Sequence, residues 1–351
     1  MKRGIYRIKP KRLRTGDKIA IVSLSWGGLG DDELIHKFYL GKKRLEEEFG
    51  LEVVAMSHAL KGSEFVYNHP ELRAKDLMDA FLNPEIKGII CAIGGTDTVR
   101  LIPYIDYDII RNNPKIFMGY SDATANHLMM YKAGLVSFYG PSLMCEFAEY
   151  VSMISYTKDT VYKFLFSNTM NYFIEPSPMW SKDWIEWKED NLDIQRQMIL
   201  DEHGYEILQG TGKVTGHFLG GCLDVFMMNV GTELWPSLEY WKGAILFIET
   251  GEDMLQPEIV KWTFRNLAAQ GILKVISGII VGKPCGEKYY EEYKGAILDV
   301  VTVEEGLINL PIFYNINIGH GIPNGIIPYG INAELDCESK TIRLLESATS
   351  D

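Results

Sequence analysis

Short apolar runs rich in β-branched residues recur through the first half of the chain, at Lys18 to Val22, Leu51 to Met56, Gly88 to Ile93, Lys115 to Gly119 and Leu135 to Tyr139. Between them the apolar positions follow helical spacing, from Asp32 to Phe49 closed by Gly50, Pro70 to Leu82, and Ala123 to Lys132 closed by Gly134. Asp31 or Asp32 suits an N-cap, and Gly50 and Gly134 suit C-caps. Such alternation predicts a parallel sheet with helices on both faces, whose ligands gather beyond the carboxyl ends of the strands. From Asn171 to Gly204 the periodicity breaks. The segment Glu175-Pro176-Ser177-Pro178-Met179-Trp180 leads into Trp184, Trp187 and a charged stretch, longer than a connection needs, as in functional lids. The second half resumes with strands at Lys213 to Leu219, Ala244 to Glu249, Gly278 to Val281 and Ile312 to Asn317, and late strands near Ala333 and Thr341. Helices are predicted from Cys222, Pro257 and Tyr290, so this is a smaller α/β unit with more β character toward its end.

Composition narrows the function. A length of 351 residues allows two domains, and 46% hydrophobic with 23% charged residues is ordinary for a soluble globular chain. A net charge of -12 argues against a nucleic-acid polymer as partner. The basic start from Lys2 to Arg14 reads as a solvated tail. No run approaches the roughly 20 apolar residues that span a bilayer. Five scattered cysteines without a Cys-x-x-Cys pair form neither a disulfide framework nor a zinc site, and imply a reducing, cytoplasmic setting. Neither metal nor cofactor is expected.

Two strand ends carry candidate chemistry. Lys115 to Met118 runs into Gly119-Tyr120-Ser121-Asp122 before a helix, which exposes a serine beside helix N–H groups that could receive an oxyanion. Capping of that helix by Ser121 and Asp122 explains the same residues. The preceding strand ends in Gly94-Gly95-Thr96-Asp97, which either brings backbone amides close to a ligand or is a tight turn capped by Thr96 or Asp97. A serine needs a base, and the base an orienting acceptor. Of seven histidines, His36, His58, His69 and His203 lie in polar segments that read as exposed, His127 on a helix and His217 in a strand. His320 sits between Gly319 and Gly321 just after a strand, where packing explains it poorly. Glu249 ends the apolar strand Ile245 to Ile248, either as a catalytic carboxylate or as the start of an acidic turn.

Gly94-Gly95-Thr96-Asp97, Arg100 to Asp106, Pro114 to Asp122, Gly140-Pro141, Gly216 to Gly221, Phe247 to Thr250 and Gly319-His320-Gly321 together resemble the serine peptidase family of LD-carboxypeptidases, which includes microcin C immunity proteins. The resemblance covers nearly the whole chain in order. It implies Ser121 as nucleophile, His320 as base, Glu249 as its acceptor, and the Gly95 and Asp122 amides as oxyanion hole. It also implies a Rossmann-like domain over residues 1–170, a linker or substrate loop over 171–204, and a C-terminal α/β domain with barrel-like β character over 205–351. A homodimer is expected as well. Cys222 departs from the asparagine that often follows the paired glycines. Ser25-Trp26-Gly27-Gly28 and the tryptophan loop look more like the microcin branch, whose substrates are aminoacyl- or peptidyl-nucleotide amides. Gly94, Trp180 and Trp187 then become candidate substrate contacts, whereas Trp184 is expected to pin the loop or fill a dimer contact. The peptidoglycan branch would instead bind a tetrapeptide end. Two other readings are an asparaginase-like enzyme with Thr96 as nucleophile, and a nucleotide-binding module built on Gly27-Gly28-Leu29-Gly30.

Overall fold

The computed structural model describes residues 7–351 and contains two large sheets. The strands, in chain order, are β1 (Lys18–Val22), β2 (Glu52–Ala55), β3 (Ile86–Cys91), β4 (Ile116–Gly119), β5 (Ser137–Tyr139), β6 (Phe173–Ile174), β7 (Met179–Trp180), β8 (Ile199–Leu200), β9 (Glu206–Gln209), β10 (Lys213–Cys222), β11 (Ile245–Glu249), β12 (Gly278–Gly282), β13 (Ile312–Ile316), β14 (Ile327–Tyr329), β15 (Asn332–Asp336) and β16 (Thr341–Leu344). The first sheet has the order β14-β5-β4-β3-β1-β2, with β1 to β5 parallel. Its apolar runs are buried on both faces by helices, which is why they read as continuous rather than alternating.

The second sheet has the order β6-β16-β15-β10-β11-β12-β13-β9. Strand β10 pairs antiparallel with β15 over Lys213 to His217, then parallel with β11 over Phe218 to Cys222. That change of partner midway along one strand curls the sheet into a half-barrel. Strand β14 leaves this half of the chain and pairs antiparallel with β5, closing the first sheet at its edge.

Most elements fall where the pattern places them, including helices Pro70–Leu82, Ala123–Ala133 and Pro257–Ala269, with Gly50 and Gly134 as left-handed C-caps. Three expectations change. The first helix starts at Ile35, and the Asp31 carboxylate holds Ser63 instead of capping it. His36 is buried against the Tyr150 hydroxyl. The basic start is not a free tail where it is described: Arg7 is buried over the Tyr131 ring and Ile8 bridges to Leu135, while Lys2 and Arg3 lie outside the described residues. Among the described residues no helix is long and apolar enough to cross a membrane.

Candidate active site

Strand β4 delivers Ser121 onto the turn before helix Ala123–Ala133, and there Ser121 takes φ +61°. A left-handed serine costs about 1–3 kcal/mol and persists only where its surroundings enforce it. They do so closely. A Cβ on Gly94 would lie 2.6 Å from Ser121 Cβ and 2.8 Å from its Oγ, so only glycine lets the two strand ends approach. The Ser121 N–H donates to the Tyr139 hydroxyl at 3.1 Å. Capping does not explain the turn: neither Ser121 nor Asp122 makes a side-chain cap. The buried Asp122 carboxylate instead accepts from Ser25 Oγ at 2.6 Å and from the Thr98 N–H at 2.8 Å. Asp97 likewise caps nothing and pairs with the buried Arg73 at 2.7 Å, and Arg73 also donates to the Leu24 and Ser25 carbonyls. The ends of β1, β3 and β4 are thereby tied into one frame. Neither the Gly95 nor the Asp122 N–H donates to a protein acceptor among the described residues, which leaves both amides free for a ligand.

The second sheet supplies the titratable groups. Glu249 ends β11 with no exposure, between two glycines whose side chains would collide with it: a Cβ on Gly282 would stand 2.6 Å from Glu249 Cβ, and one on Gly319 2.2 Å from its carboxyl carbon. Gly319 (φ +72°) therefore lays the chain across the carboxylate, and the next residue, His320, bonds it twice, through Nδ1 at 2.7 Å and through its backbone N–H at 3.2 Å. The other Glu249 oxygen accepts from the Tyr139 hydroxyl at 2.5 Å. One phenol thus joins the backbone of Ser121 to the carboxylate behind His320. His320 is held rather than flexible: its loop is fixed by Gly319 N–H to Asn324 at 2.9 Å and by the Tyr120 ring, edge-on at 4.9 Å.

On its outer side His320 meets a further carboxylate, with Nε2 2.8 Å from Glu252 Oε2. Burial alone would depress the imidazole pKa, but Glu249 and Glu252 outweigh it and hold the imidazolium well above the usual range. The hydrogen bond to His320 takes the Glu252 carboxyl down to about 2. Cys222, at the start of helix Leu223–Phe226, places its buried thiol beside this pair. Cys222, Glu249 and His320 offer donor atoms within 4.8 Å of one another, the one such group among the described residues. Burial pushes that thiol well above its ordinary pKa, so it is protonated.

Gly94, Gly95, Ser121, Glu252 and His320 line one cavity of about 500 Å³. Residues of the loop between β7 and β8 line it too, Trp184 and Trp187 among them, and so does Trp26. One expectation reverses here. Trp180 is buried under the Lys283 ammonium, 4.5 Å from its ring centre, and does not reach the cavity. Trp184, expected to pin the loop or fill a dimer contact, is 78% exposed, so it does not pin the loop, and it lines the cavity. Thr96 is exposed and outside the cavity, which removes the threonine-nucleophile reading. In the glycine run after β1, a Cβ on Gly28 would meet the Trp26 ring at 2.4 Å, so packing against that indole accounts for this glycine.

Comparison with known proteins identifies the family. Residues 19–140 match the LD-carboxypeptidase N-terminal domain and residues 215–335 its C-terminal domain. The chain belongs to the LD-carboxypeptidase family of serine peptidases. It is 32% identical to a putative carboxypeptidase of Vibrio cholerae, over 95% of this chain and 96% of that one. An MccF-like protein from Streptococcus pneumoniae, solved in complex with AMP, superposes with a TM-score of 0.87 at 36% identity, over 94% of this chain and 98% of that one. The microcin C7 self-immunity protein, solved in complex with aspartyl sulfamoyl adenosine, superposes with a TM-score of 0.85 at 26% identity, over 98% and 100% of the two chains. The chain is therefore a serine peptidase-type hydrolase. Tyr139 and Arg73 carry no site signal in the sequence; Glu252 shows only as part of the acidic cluster after Glu249, and Ser25 only within Ser25-Trp26-Gly27-Gly28.

Proposed function

We propose that Ser121, His320 and Glu249 are nucleophile, base and orienting acceptor of an amide hydrolase that acts on aminoacyl- or peptidyl-nucleotides. The observation that carries the reading is that a strained serine at a strand end and a carboxylate-bound histidine from the other sheet line the same cavity. In this mechanism Ser121 Oγ attacks the scissile carbonyl while His320 Nε2 takes its proton. The Gly95 and Asp122 amides receive the oxyanion, each such donor contributing about 3–4 kcal/mol. The imidazolium then protonates the leaving nitrogen as the C–N bond breaks, and water attacks the acyl-serine to release the acid. Glu249 fixes the ring and its tautomer throughout.

The nucleotide half of the reading rests on Trp26, Trp184 and Trp187 around the cavity. It rests also on the AMP and aspartyl sulfamoyl adenosine complexes of the two relatives. An exposed indole that stacks on a base contributes about 1–3 kcal/mol. The test is a side-by-side assay of an aminoacyl sulfamoyl adenosine and a peptidoglycan tetrapeptide, with Ser121→Ala as control. Faster turnover of the nucleotide, abolished in Ser121→Ala without loss of folding, supports the reading. Turnover of the tetrapeptide alone moves the protein to the cell-wall branch, and an active Ser121→Ala ends the serine mechanism. The same reading carries a homodimer in the cytoplasm, which light scattering on the purified chain and fractionation of cells would test.

A further inference from the structure

The Cys222 thiol takes no part in the hydrolysis proposed above, yet it is buried against the groups that do. It ends β10, whose pairing with β11 sets it directly beside Glu249. Its sulfur, a Glu249 oxygen and a His320 ring nitrogen lie within 4.8 Å of one another. Sulfur, imidazole nitrogen and carboxylate oxygen are the donor set of zinc, with Zn–S about 2.3 Å and Zn–N and Zn–O about 2.0–2.2 Å. At those lengths a nitrogen and an oxygen on a tetrahedral ion stand about 3.3 Å apart. The 2.7 Å contact between His320 Nδ1 and Glu249 would therefore open by only about half an ångström.

The groups around the three donors point to a metal independently. A metal-bound histidine nearly always donates its other ring N–H to a carboxylate or carbonyl, and a ligating carboxylate is itself hydrogen-bonded. Both conditions are met here. Nδ1 faces Glu249, while Nε2 lies 2.8 Å from Glu252 Oε2. The second Glu249 oxygen accepts from the Tyr139 hydroxyl at 2.5 Å. Asp224, 3.6 Å from the Cys222 sulfur, adds negative potential. The charge fits as well. A neutral thiol, an ionised Glu249 and an imidazolium sum to zero. A divalent ion in place of the Sγ and Nδ1 protons gives a thiolate, a carboxylate and a neutral imidazole around a double positive charge, again zero, and two protons pass to water. His320 and Glu252 line the cavity, which gives an ion its way in.

We propose that Cys222, Glu249 and His320 form an inhibitory zinc site, in which the ion replaces the proton on Nδ1 and takes the base out of the reaction. The consequence follows from tautomerism. An imidazole whose Nδ1 holds a metal keeps its one remaining proton on Nε2, where Glu252 accepts it. That nitrogen then has no lone pair for the Ser121 proton. The inference rests on the serine mechanism above and adds its regulation. It is independent of which amide is cut, because aminoacyl-nucleotide, peptidyl-nucleotide and tetrapeptide all need the same base. The asparagine that often stands at this position offers no thiolate, so the sensitivity belongs to Cys222.

The experiment uses the full chain, stripped of metal by a chelator, with Co²⁺ as the spectroscopic stand-in for Zn²⁺. Thiolate-bound Co²⁺ absorbs in the near ultraviolet. That band should appear in the wild type and in Cys285→Ser, a second thiol on the cavity wall, and Zn²⁺ should displace it. It should be absent in Cys222→Ser and Cys222→Asn. Hydrolysis of an aminoacyl sulfamoyl adenosine is followed in parallel, each variant compared with and without Zn²⁺, so that a changed basal rate does not enter. A small excess of Zn²⁺ should lower wild-type kcat/KM about tenfold or more, and EDTA should restore it. Both Cys222 variants should need at least about tenfold more Zn²⁺ for the same loss. No thiolate band, or one that survives in both Cys222 variants, overturns the site. Equal Zn²⁺ sensitivity in wild type and both variants overturns it too, since the ion then acts elsewhere. A band lost with Cys222, beside hydrolysis that Zn²⁺ leaves unchanged, overturns the blockade and with it His320 as base. Ser121→Ala keeps all three ligands and should bind Co²⁺ like the wild type. Activity in that variant defeats the serine mechanism and leaves the metal site standing.

Discussion

Replacing Tyr139 by phenylalanine removes one oxygen and tests the link between the two sheets. The ring would stay, edge-on to Phe247 at 5.2 Å and beside His127 at 5.4 Å, so packing is preserved. Lost are a hydrogen bond given to the buried Glu249 carboxylate and one received from the Ser121 N–H. A bond to a charged acceptor contributes about 1.5–3 kcal/mol, and an orphaned buried donor costs about 1–3 kcal/mol. Tyr139 has no exposure, so water cannot replace the hydroxyl at Glu249, whereas the Ser121 amide borders the cavity and is rehydrated more cheaply. About 3 kcal/mol is therefore expected. At about 2.1 cal/mol/K of unfolding entropy per residue, a chain of this length unfolding as one unit would lose about 4 °C in Tm. Catalysis should suffer as well. Glu249 without its phenol donor is a poorer anion, and Ser121 is free to leave its strained turn, so kcat/KM should fall about tenfold or more. Scanning calorimetry and steady-state kinetics on the same preparation check both. A Tm within about 1 °C of wild type together with kcat/KM within about twofold would refute the relay.

Three further expectations follow from neighbouring contacts. Gly94→Ala would place a methyl 2.6 Å from Ser121 Cβ, so kcat/KM should fall by about two orders of magnitude while overpacking costs only about 1–3 kcal/mol in a urea titration. Trp184→Ala, at a 78% exposed position, should shift stability by less than about 0.5 kcal/mol yet raise KM for a nucleotide substrate about 5- to 100-fold, with KM for a tetrapeptide unchanged. The pH profile of kcat/KM should show its acid limb above the ordinary imidazole range. His320 faces Glu249, Glu252, Asp224, Cys222, Cys285 and Tyr120; burial works against its protonation, but the carboxylates raise its pKa and the reaction needs it neutral. Removing one carboxylate in Glu252→Ala should move that limb to lower pH, and an unmoved limb would show that Glu252 does not touch the ring in solution.

How much of this could be read beforehand depends on the range of each interaction. Strands β1, β3 and β4 announce themselves because both faces are buried, and the glycines at their ends because only glycine allows the close approach that positions Ser121. Strand β14 did not, since three residues that include Pro328 carry no period. A helix cap is one of the readings open to Asp97 and Asp122 in sequence, because aspartate before a helix usually acts locally. Here both carboxylates look across the strand ends, to Arg73 and to Ser25, over separations that no local pattern encodes. Of the candidate contacts Trp180 and Trp187 only the second lines the cavity, for a related reason. Within one irregular loop Trp180 and Trp184 are equivalent as sequence, and only the position of Lys283, a hundred residues later, decides which is covered.

Tyr139 was the least legible residue, and its position says why the site needs both halves of the chain. In sequence it ends an apolar strand and reads as core, which its ring is. Its hydroxyl reaches Glu249 on the other sheet, just as the Thr124 hydroxyl on the helix after Ser121 accepts from the Cys222 N–H at 3.0 Å. A Cβ on Gly221 would strike that same threonine at 2.4 Å, so the contact between the sheets is backbone-close where the proposed nucleophile and base meet. The parts of the site on each sheet are rigid by themselves, Ser121 in its frame of strand ends and His320 on its carboxylate. What the contact sets is their mutual register, and a shift of a few tenths of an ångström there moves Nε2 relative to Oγ with no loss of either local structure. Substitutions at Thr124 or Gly221 should therefore lower kcat far more than they lower Tm, the opposite of what ordinary core positions do.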